Sequence, residues 1–348
     1  MNWTGYWKCL LGTFVGVLIL LIGLLWIVDP YGNLPGSPPF ERTAMASNQR
    51  FSYPAVARNQ SFDSAVIGTS TSRMLEPGVL GAAFGGRFAN LSMNSATAYE
   101  QARLFGVFQG THAAPKTVLI GLDGVWCTVA ATPAKYTFRR FPEWMYDHNP
   151  WNDIPHMFEF KSFENAGRQA AYLLGLKAAK YGPDGYANFL PPESEYDLRK
   201  ARQAIYGSPE PKTKTPSASS VAIPAGQRAQ WFYPTHAYLR KMLESLPVAT
   251  RKVLFFVPYH AYSQPLPGTK AFIELQECKD RINAIVAPVE NAALLDFMVV
   301  SPLTVRDENY WDSLHYSATV AEKFVRLIAR AAENRRAPDG EYRILDPN

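Results

Sequence analysis

Cysteine is scarce in this chain, three residues in 348, and histidine occurs only six times. Three cysteines cannot build a disulfide scaffold. Cys127 and Cys278 either pair with each other or remain two buried free thiols; sequence leaves both open. There is no C-x-x-C pair and no His/Cys cluster, so zinc-site spacings are missing and neither a metal nor another cofactor is expected. Charged residues make up only 19% of the chain, and the net charge of +5 is spread along it. Without a basic stripe, nucleic acid is a poor partner. No internal repeat is evident, which argues against a solenoid.

What is abundant is apolar sequence, 47% of the chain, enough for a sizeable core. One run stands apart. "CLLGTFVGVLILLIGLLWIV", from Cys9 to Val28, carries no charge. About 20 apolar residues is the length that crosses a bilayer core. Trp3, Tyr6, Trp7 and Trp26 lie near its two ends, where amphipathic rings favour the interface. Lys8 and the amino terminus precede the run; Asp29 and Glu41 follow it. The positive-inside rule then puts the N-terminus in the cytoplasm and everything after about residue 30 outside it, as expected of a single-pass inner (cytoplasmic) membrane protein with a periplasmic or otherwise extracytoplasmic domain. The rival is a cleaved signal peptide. Its apolar region is normally shorter and ends at a small-residue cleavage site, whereas here "DPYGNLPGSPPF" follows, which favours an uncleaved anchor. Cys9 precedes the run and is not placed like a lipoprotein cysteine.

Residues 31–61, rich in Pro, Gly and polar side chains, read as a stem. From 62 to 335 strands and helices alternate, and 336–348 reads as a polar tail. Candidate strands are 65–67, 87–91, 117–121, 252–257 and 294–299. Candidate helices are 97–109, 163–180, 228–246, 271–287 and 318–333. Such alternation predicts an α/β domain, a parallel sheet covered by helices on both faces, with ligands at the carboxyl ends of the strands. A long insertion interrupts it at about 126–251. Its first part carries Phe138, Phe141, Trp144, Tyr146 and Trp151. These aromatics either pack beneath the excursion or offer a glycan platform, with Trp144 and Trp151 as candidate substrate contacts. Its later part, "YGSPEPKTKTPSASSVAIPAGQ", reads as a mobile loop.

The chemistry starts at "FDSAVIGTSTSRMLEP", where an apolar strand breaks at Gly68 into four hydroxyl residues and Arg73. These hydroxyls either cap the next helix or present a nucleophile. Ser70, two residues past Gly68, is better placed than Ser72 to project above the sheet. A serine needs an imidazole base oriented by a carboxylate. "NYWDSLHYSATVAEKF" supplies Asp312 three residues before His315, ahead of the last amphipathic helix. The bland alternative is a helix cap with a surface histidine.

These blocks resemble those of the SGNH/GDSL hydrolase superfamily, in its order, over roughly residues 65–330. Gly68-Thr69-Ser70 matches the first block except for its Asp, and Asp312 with His315 matches the last. "NLSMNS" keeps Asn90 of the second block but has Ser92 and Ser95 in place of glycines. "GLDG" keeps Gly121 of the third block but has Asp123 where an oxyanion-binding Asn is usual. More narrowly the chain resembles the membrane-anchored bacterial branch that includes DltD-like and AlgJ/AlgX-like proteins of cell-envelope polysaccharide acylation. "VPYHAY", with His260, is also similar to that group; His260 lines the cleft or is a buried structural residue.

The resemblance implies a three-layer α/β/α sandwich with Ser70 as nucleophile, His315 as base and Asp312 as orienter. It further implies an acylated glycan substrate and a membrane-bound O-acyltransferase as partner. The oxyanion would be held by backbone N–H groups including that of Ser95, by Asp123 only if protonated, or by Gly124 N–H instead. Two functions are therefore expected in competition: a serine esterase or O-acyltransferase, and a non-catalytic glycan-binding or scaffold protein.

Overall fold

The structure is a computed structural model that describes residues 3–38, 40, 42, 45–215, 221–333 and 340–345. Residues 216–220 of the polar loop, and 336–339 and 346–348 of the tail, lie outside the described residues.

In chain order the elements are α1 (Trp3–Val28), α2 (Gln49–Arg58), β1 (Ser64–Ile67), α3 (Pro77–Phe84), β2 (Phe88–Asn90), α4 (Ala98–Thr111), β3 (Thr117–Leu122), α5 (Phe160–Leu173), α6 (Leu198–Tyr206), α7 (Ala225–Ala229), α8 (His236–Glu244), β4 (Arg251–Phe256), α9 (Lys270–Val286), β5 (Ala292–Asp296), α10 (Ala318–Ala331) and β6 (Arg343–Ile344). The fold is α/β. The strands form one mixed sheet in the order β2-β1-β3-β4-β5-β6. The first five are parallel, and β6 runs antiparallel along β5. β1 and β3 are buried along their whole lengths, as expected of apolar strands in the middle of a parallel sheet. From β1 the chain first adds β2 on one side, then returns to add β3, β4 and β5 on the other. That reversal places the crevice of the sheet at the carboxyl ends of β1 and β3.

α1 is long and apolar enough to cross a membrane, and exposes nearly every side chain except Leu25 and Val28. It stops at Asp29 (φ 41°), whose carboxylate accepts from Asn33 N–H, Leu34 N–H and the Ser37 hydroxyl. Residues 49–58, expected in an open stem, form α2 instead. It buries Phe51, Tyr53, Val56 and Ala57 and packs on α4. Pro54 lies inside this helix and has no N–H to offer Arg50 C=O. The Tyr146 hydroxyl donates to that carbonyl at 2.9 Å, so the orphan is satisfied. Arg50 and Glu100 form a fully buried ion pair between α2 and α4, and Glu100 also closes a capping box with Thr97. Cutting one partner from such a pair costs about 3–5 kcal/mol.

Other boundaries differ from the sequence reading for local reasons. The helix expected to reach residue 180 ends as α5 at Leu173, followed by Gly175 at φ 70°. The helix expected over 228–246 is two helices, because Pro234 interrupts it. β5 stops at Asp296, where the carboxylate turns to the Met298 N–H and to the buried Lys279 ammonium. Cys127 and Cys278 are disulfide-bonded, tying the segment after β3 to α9.

Candidate active site

β1 ends at Ile67 and the chain turns sharply over 68–75. Ser72 N–H donates to Thr69 C=O and Arg73 N–H to Ser70 C=O. Within this turn Ser70 and Ser72 have opposite surroundings. Ser72 is wholly buried, its hydroxyl wedged between Gly68 and Gly121. A Cβ on Gly121 would sit 2.0 Å from Ser72 Oγ, and one on Gly68 2.5 Å from it, so both glycines are required by this close approach. Ser70 is only half-buried and faces the loop before α10. Asn90, from the end of β2, pins the turn: its amide donates to Ser72, Arg73 and Leu75 carbonyls at 3.3, 3.1 and 2.9 Å. As a candidate cleft residue Asn90 is therefore corrected: its amide is spent on the backbone behind the cleft.

The loop before α10 is closed by a bridge between Tyr310 and Tyr316 and by Trp311 N–H donating to His315 C=O. Inside it, Asp312 Oδ1 accepts from the backbone N–H groups of Leu314 and His315 at 2.8 and 2.9 Å. Asp312 Oδ2 meets His315 Nδ1 at 2.7 Å, and His315 Nε2 lies 2.8 Å from Ser70 Oγ. Burial pushes the Asp312 carboxyl up, but the His315 bond and the two N–H donors outweigh it and hold its pKa below the usual carboxylate range. An ionised Asp312 keeps the proton on Nδ1 and leaves the Nε2 lone pair to accept the Ser70 hydroxyl proton. Residues 245 positions apart thus meet at the crevice, and the Tyr316 hydroxyl bonds Thr71 C=O to hold the two loops together.

His260 is not in the cleft. It is 2% exposed, its Nδ1 accepts from Tyr262 N–H at 3.1 Å, and its Nε2 faces Asp307 at 3.2 Å. Burial lowers its pKa, so the ring is neutral and Nε2 donates. Asp307 also accepts from Arg202 and the Tyr206 hydroxyl. His260 N–H donates to Ser313 C=O, so this buried group braces the Asp312–His315 loop from behind.

Just past the end of β3, Asp123 is buried with both carboxyl oxygens engaged, one by the Thr69 hydroxyl and one by Val125 N–H. Burial raises its pKa to about 6, against the pull of those two donors. Gly124 follows directly and opens a short 3-10 turn, Gly124–Trp126. Ser95 takes the left-handed conformation (φ 53°), a region that favours glycine. Among the described residues, the N–H groups of Ser70 and Ser95 meet no acceptor, so both are available to a ligand oxygen.

Arg73 is 3% exposed, donates to Asn94 Oδ1 at 2.7 Å, and holds its guanidinium 4.5 Å from the Phe189 ring centroid. No carboxylate pairs with it among the described residues. Phe189, which no motif or spacing in the sequence singles out, packs edge-on against His315 at 5.4 Å. It arrives on a piece of the insertion that lies along β2, where Asn90 N–H donates to Asp184 C=O. Gly185 (φ 80°) permits this approach, since a Cβ there would fall 2.5 Å from Asn90 C=O.

The other two aromatic candidates are elsewhere. Trp144 stacks flat on His156 at 4.9 Å and edge-on against Tyr31, near the exit of α1. Trp151 is 66% exposed. Neither makes a hydrogen bond or ring contact with Ser70, Asp312 or His315. Among the described residues no group of three His, Cys, Asp or Glu is arranged to hold a metal ion. No protein-family model matches the chain, and no curated protein matches it.

Proposed function

We propose that this protein is an SGNH-type serine O-acyltransferase or esterase acting on acyl esters of a cell-envelope glycan. The observation that carries the reading is the relay from the Asp312 carboxylate through His315 to the Ser70 hydroxyl, with contacts of 2.7 and 2.8 Å. Ser70 Oγ attacks the acyl carbonyl carbon while its proton passes to His315 Nε2. The ester C–O bond breaks and the leaving alcohol takes that proton. The acyl-serine is then resolved by water or a sugar hydroxyl, whose proton returns through His315 to Ser70. The N–H groups of Ser70 and Ser95 are the candidates to bind the oxyanion. In support of a three-layer SGNH-like architecture, the strand order is doubly wound and the helices touch in separate groups, α3 with α10 and α4 with α2 and α8.

The same reading has α1 across the inner membrane, with the domain on the periplasmic side. Lys8 before the apolar run favours that orientation, and the Cys127–Cys278 disulfide suits an oxidising compartment. Cytoplasmic thioester donors do not reach that side unaided, so transfer requires an acyl group handed across the bilayer. A tethered domain meets a membrane partner at raised effective concentration, which suits a membrane-bound O-acyltransferase as the donor. The test is glycan acylation in cells carrying Ser70→Ala or His315→Ala. Loss supports transfer, a rise marks a de-acylating esterase, and no change in either variant overturns catalysis.

A second reading, a non-catalytic glycan-binding or scaffold protein, is favoured by one observation. Asp123 offers no free donor to an oxyanion, and losing one such donor typically lowers the rate about 100- to 1,000-fold. Fluorophosphonate labelling at Ser70 separates the two.

A further inference from the structure

α5 packs Phe163, Ala166 and Ala170 on the core, yet it also leaves large apolar side chains in the open. A surface helix normally buries its apolar stripe and exposes its polar one. α5 buries Ser162, Asn165, Ala166 and Gln169. Its opposite side carries Phe160, Gly167 and Ala171, and Leu174 continues that line just past the helix end, with Glu164, one turn after Phe160, at its border. Phe160 is 85% exposed and Leu174 73%. Trp151 and Phe158, before the helix in sequence, and Leu176, after it, are exposed as well. Glu164, at the border of this face, pairs with Lys161 and Arg168 on the same helix.

The location of this face tells what covers it. α5 packs against α1. Its buried Ser162 and Asn165 hydrogen-bond the Tyr31 hydroxyl at 3.3 and 3.2 Å, three residues beyond the end of α1. The apolar stripe therefore sits beside the point where the candidate membrane span leaves its apolar stretch. An amphipathic helix at that level, with aromatic residues at one end and a charged flank, has the make-up of an interfacial helix.

We propose that the outward face of α5, with Trp151, Phe158 and Leu176, lies in the headgroup layer of the same bilayer that α1 enters. This rests on α1 being a membrane span and not on the serine chemistry. The domain is then held against the lipid at two places, and α5 fixes its orientation.

The test uses the full chain with Cys9→Ser, reconstituted at one copy per lipid nanodisc. An environment-sensitive fluorophore is attached at Phe160→Cys, Leu174→Cys or, as a control, Val300→Cys. Val300 is 73% exposed on a loop after β5. Lipids brominated near the headgroup should quench the labels at 160 and 174 and leave the control unchanged. Aqueous iodide should quench only the control. Iodide quenching at 160 and 174 would mean the face points to water. Quenching by neither agent would mean that another protein surface covers it. Either result overturns the proposal. Phe160 and Leu174 pack on little, so Phe160→Glu/Leu174→Glu should fold normally, and a label at Leu176→Cys in that background should lose its lipid quenching.

Discussion

The hydroxyl of Thr69, the residue just before Ser70, donates to the buried carboxyl of Asp123 at the end of β3. This contact joins the two strand ends that frame the crevice. It also fixes what Asp123 can do: its oxygens hold the Ser70 turn and the chain after β3 together.

Asp123 should make stability fall as pH rises. Its folded pKa of about 6 lies above its unfolded value near 3.8. A carboxyl raised in this way contributes fully below the unfolded pKa, and the contribution is lost as pH climbs through the folded one. For a fully buried group, a pKa displaced this far corresponds to on the order of 2–3 kcal/mol. Asp123→Asn keeps the shape without the charge. Chemical denaturation should therefore find the variant more stable than the parent at pH 8, with the difference gone near pH 4. Equal pH dependence in both proteins would refute the assignment.

Ser70→Ala should abolish fluorophosphonate labelling, with ester hydrolysis reduced ~1,000-fold or more. Ser72→Ala should leave both intact. Ser72 Oγ is buried without a hydrogen-bond partner, so its removal takes away an unsatisfied polar atom and leaves the fold at least as stable. Labelling that survives in Ser70→Ala and vanishes in Ser72→Ala would reverse the assignment.

Asp312→Asn should cost up to ~10,000-fold in turnover at neutral pH while sparing much of the fold. The amide can keep one oxygen on the N–H groups of Leu314 and His315, but its NH2 then faces Nδ1 and favours the wrong tautomer. Steady-state kinetics on an aryl acetate, with circular dichroism as the folding control, measures this. Unchanged turnover would exclude Asp312 as the orienter of His315.

Much of the sheet was legible because its strands are short apolar runs closed by turn residues, as at Ile67-Gly68 and Leu122-Asp123. The short spacing of Asp312 and His315 was legible too, since it is local. What separates Ser70 from Ser72 is not local: Gly121, on another strand, leaves room for the Ser72 side chain. The same holds for Asn90, whose partners lie 15 to 18 residues earlier, and for Phe189, delivered by the insertion. α2 was missed because Pro54 and its polar neighbours look like linker, and its stability comes from Glu100 and Tyr146 far along the chain. Trp144, open in sequence to either packing or a glycan platform, packs on His156 and on Tyr31 beyond α1.

The disulfide should support stability more than chemistry. Cys127 and Cys278 close a loop with a sequence separation of 151, and the bond ties the segment after β3 to the buried side of α9. Removing a cross-link of this kind typically costs about 2–5 kcal/mol, through the freedom the unfolded chain regains. Ser70, Asp312 and His315 all lie outside the closed loop, and their geometry is set by the Asn90 clamp and the Tyr310–Tyr316 bridge. The double variant Cys127→Ser/Cys278→Ser should therefore melt several degrees lower than the parent, as should the parent under strong reductant. At low temperature it should still label with fluorophosphonate at the parental rate. A variant that melts normally but no longer labels would show that the bond shapes the crevice, and would move Cys127 from the scaffold into the site.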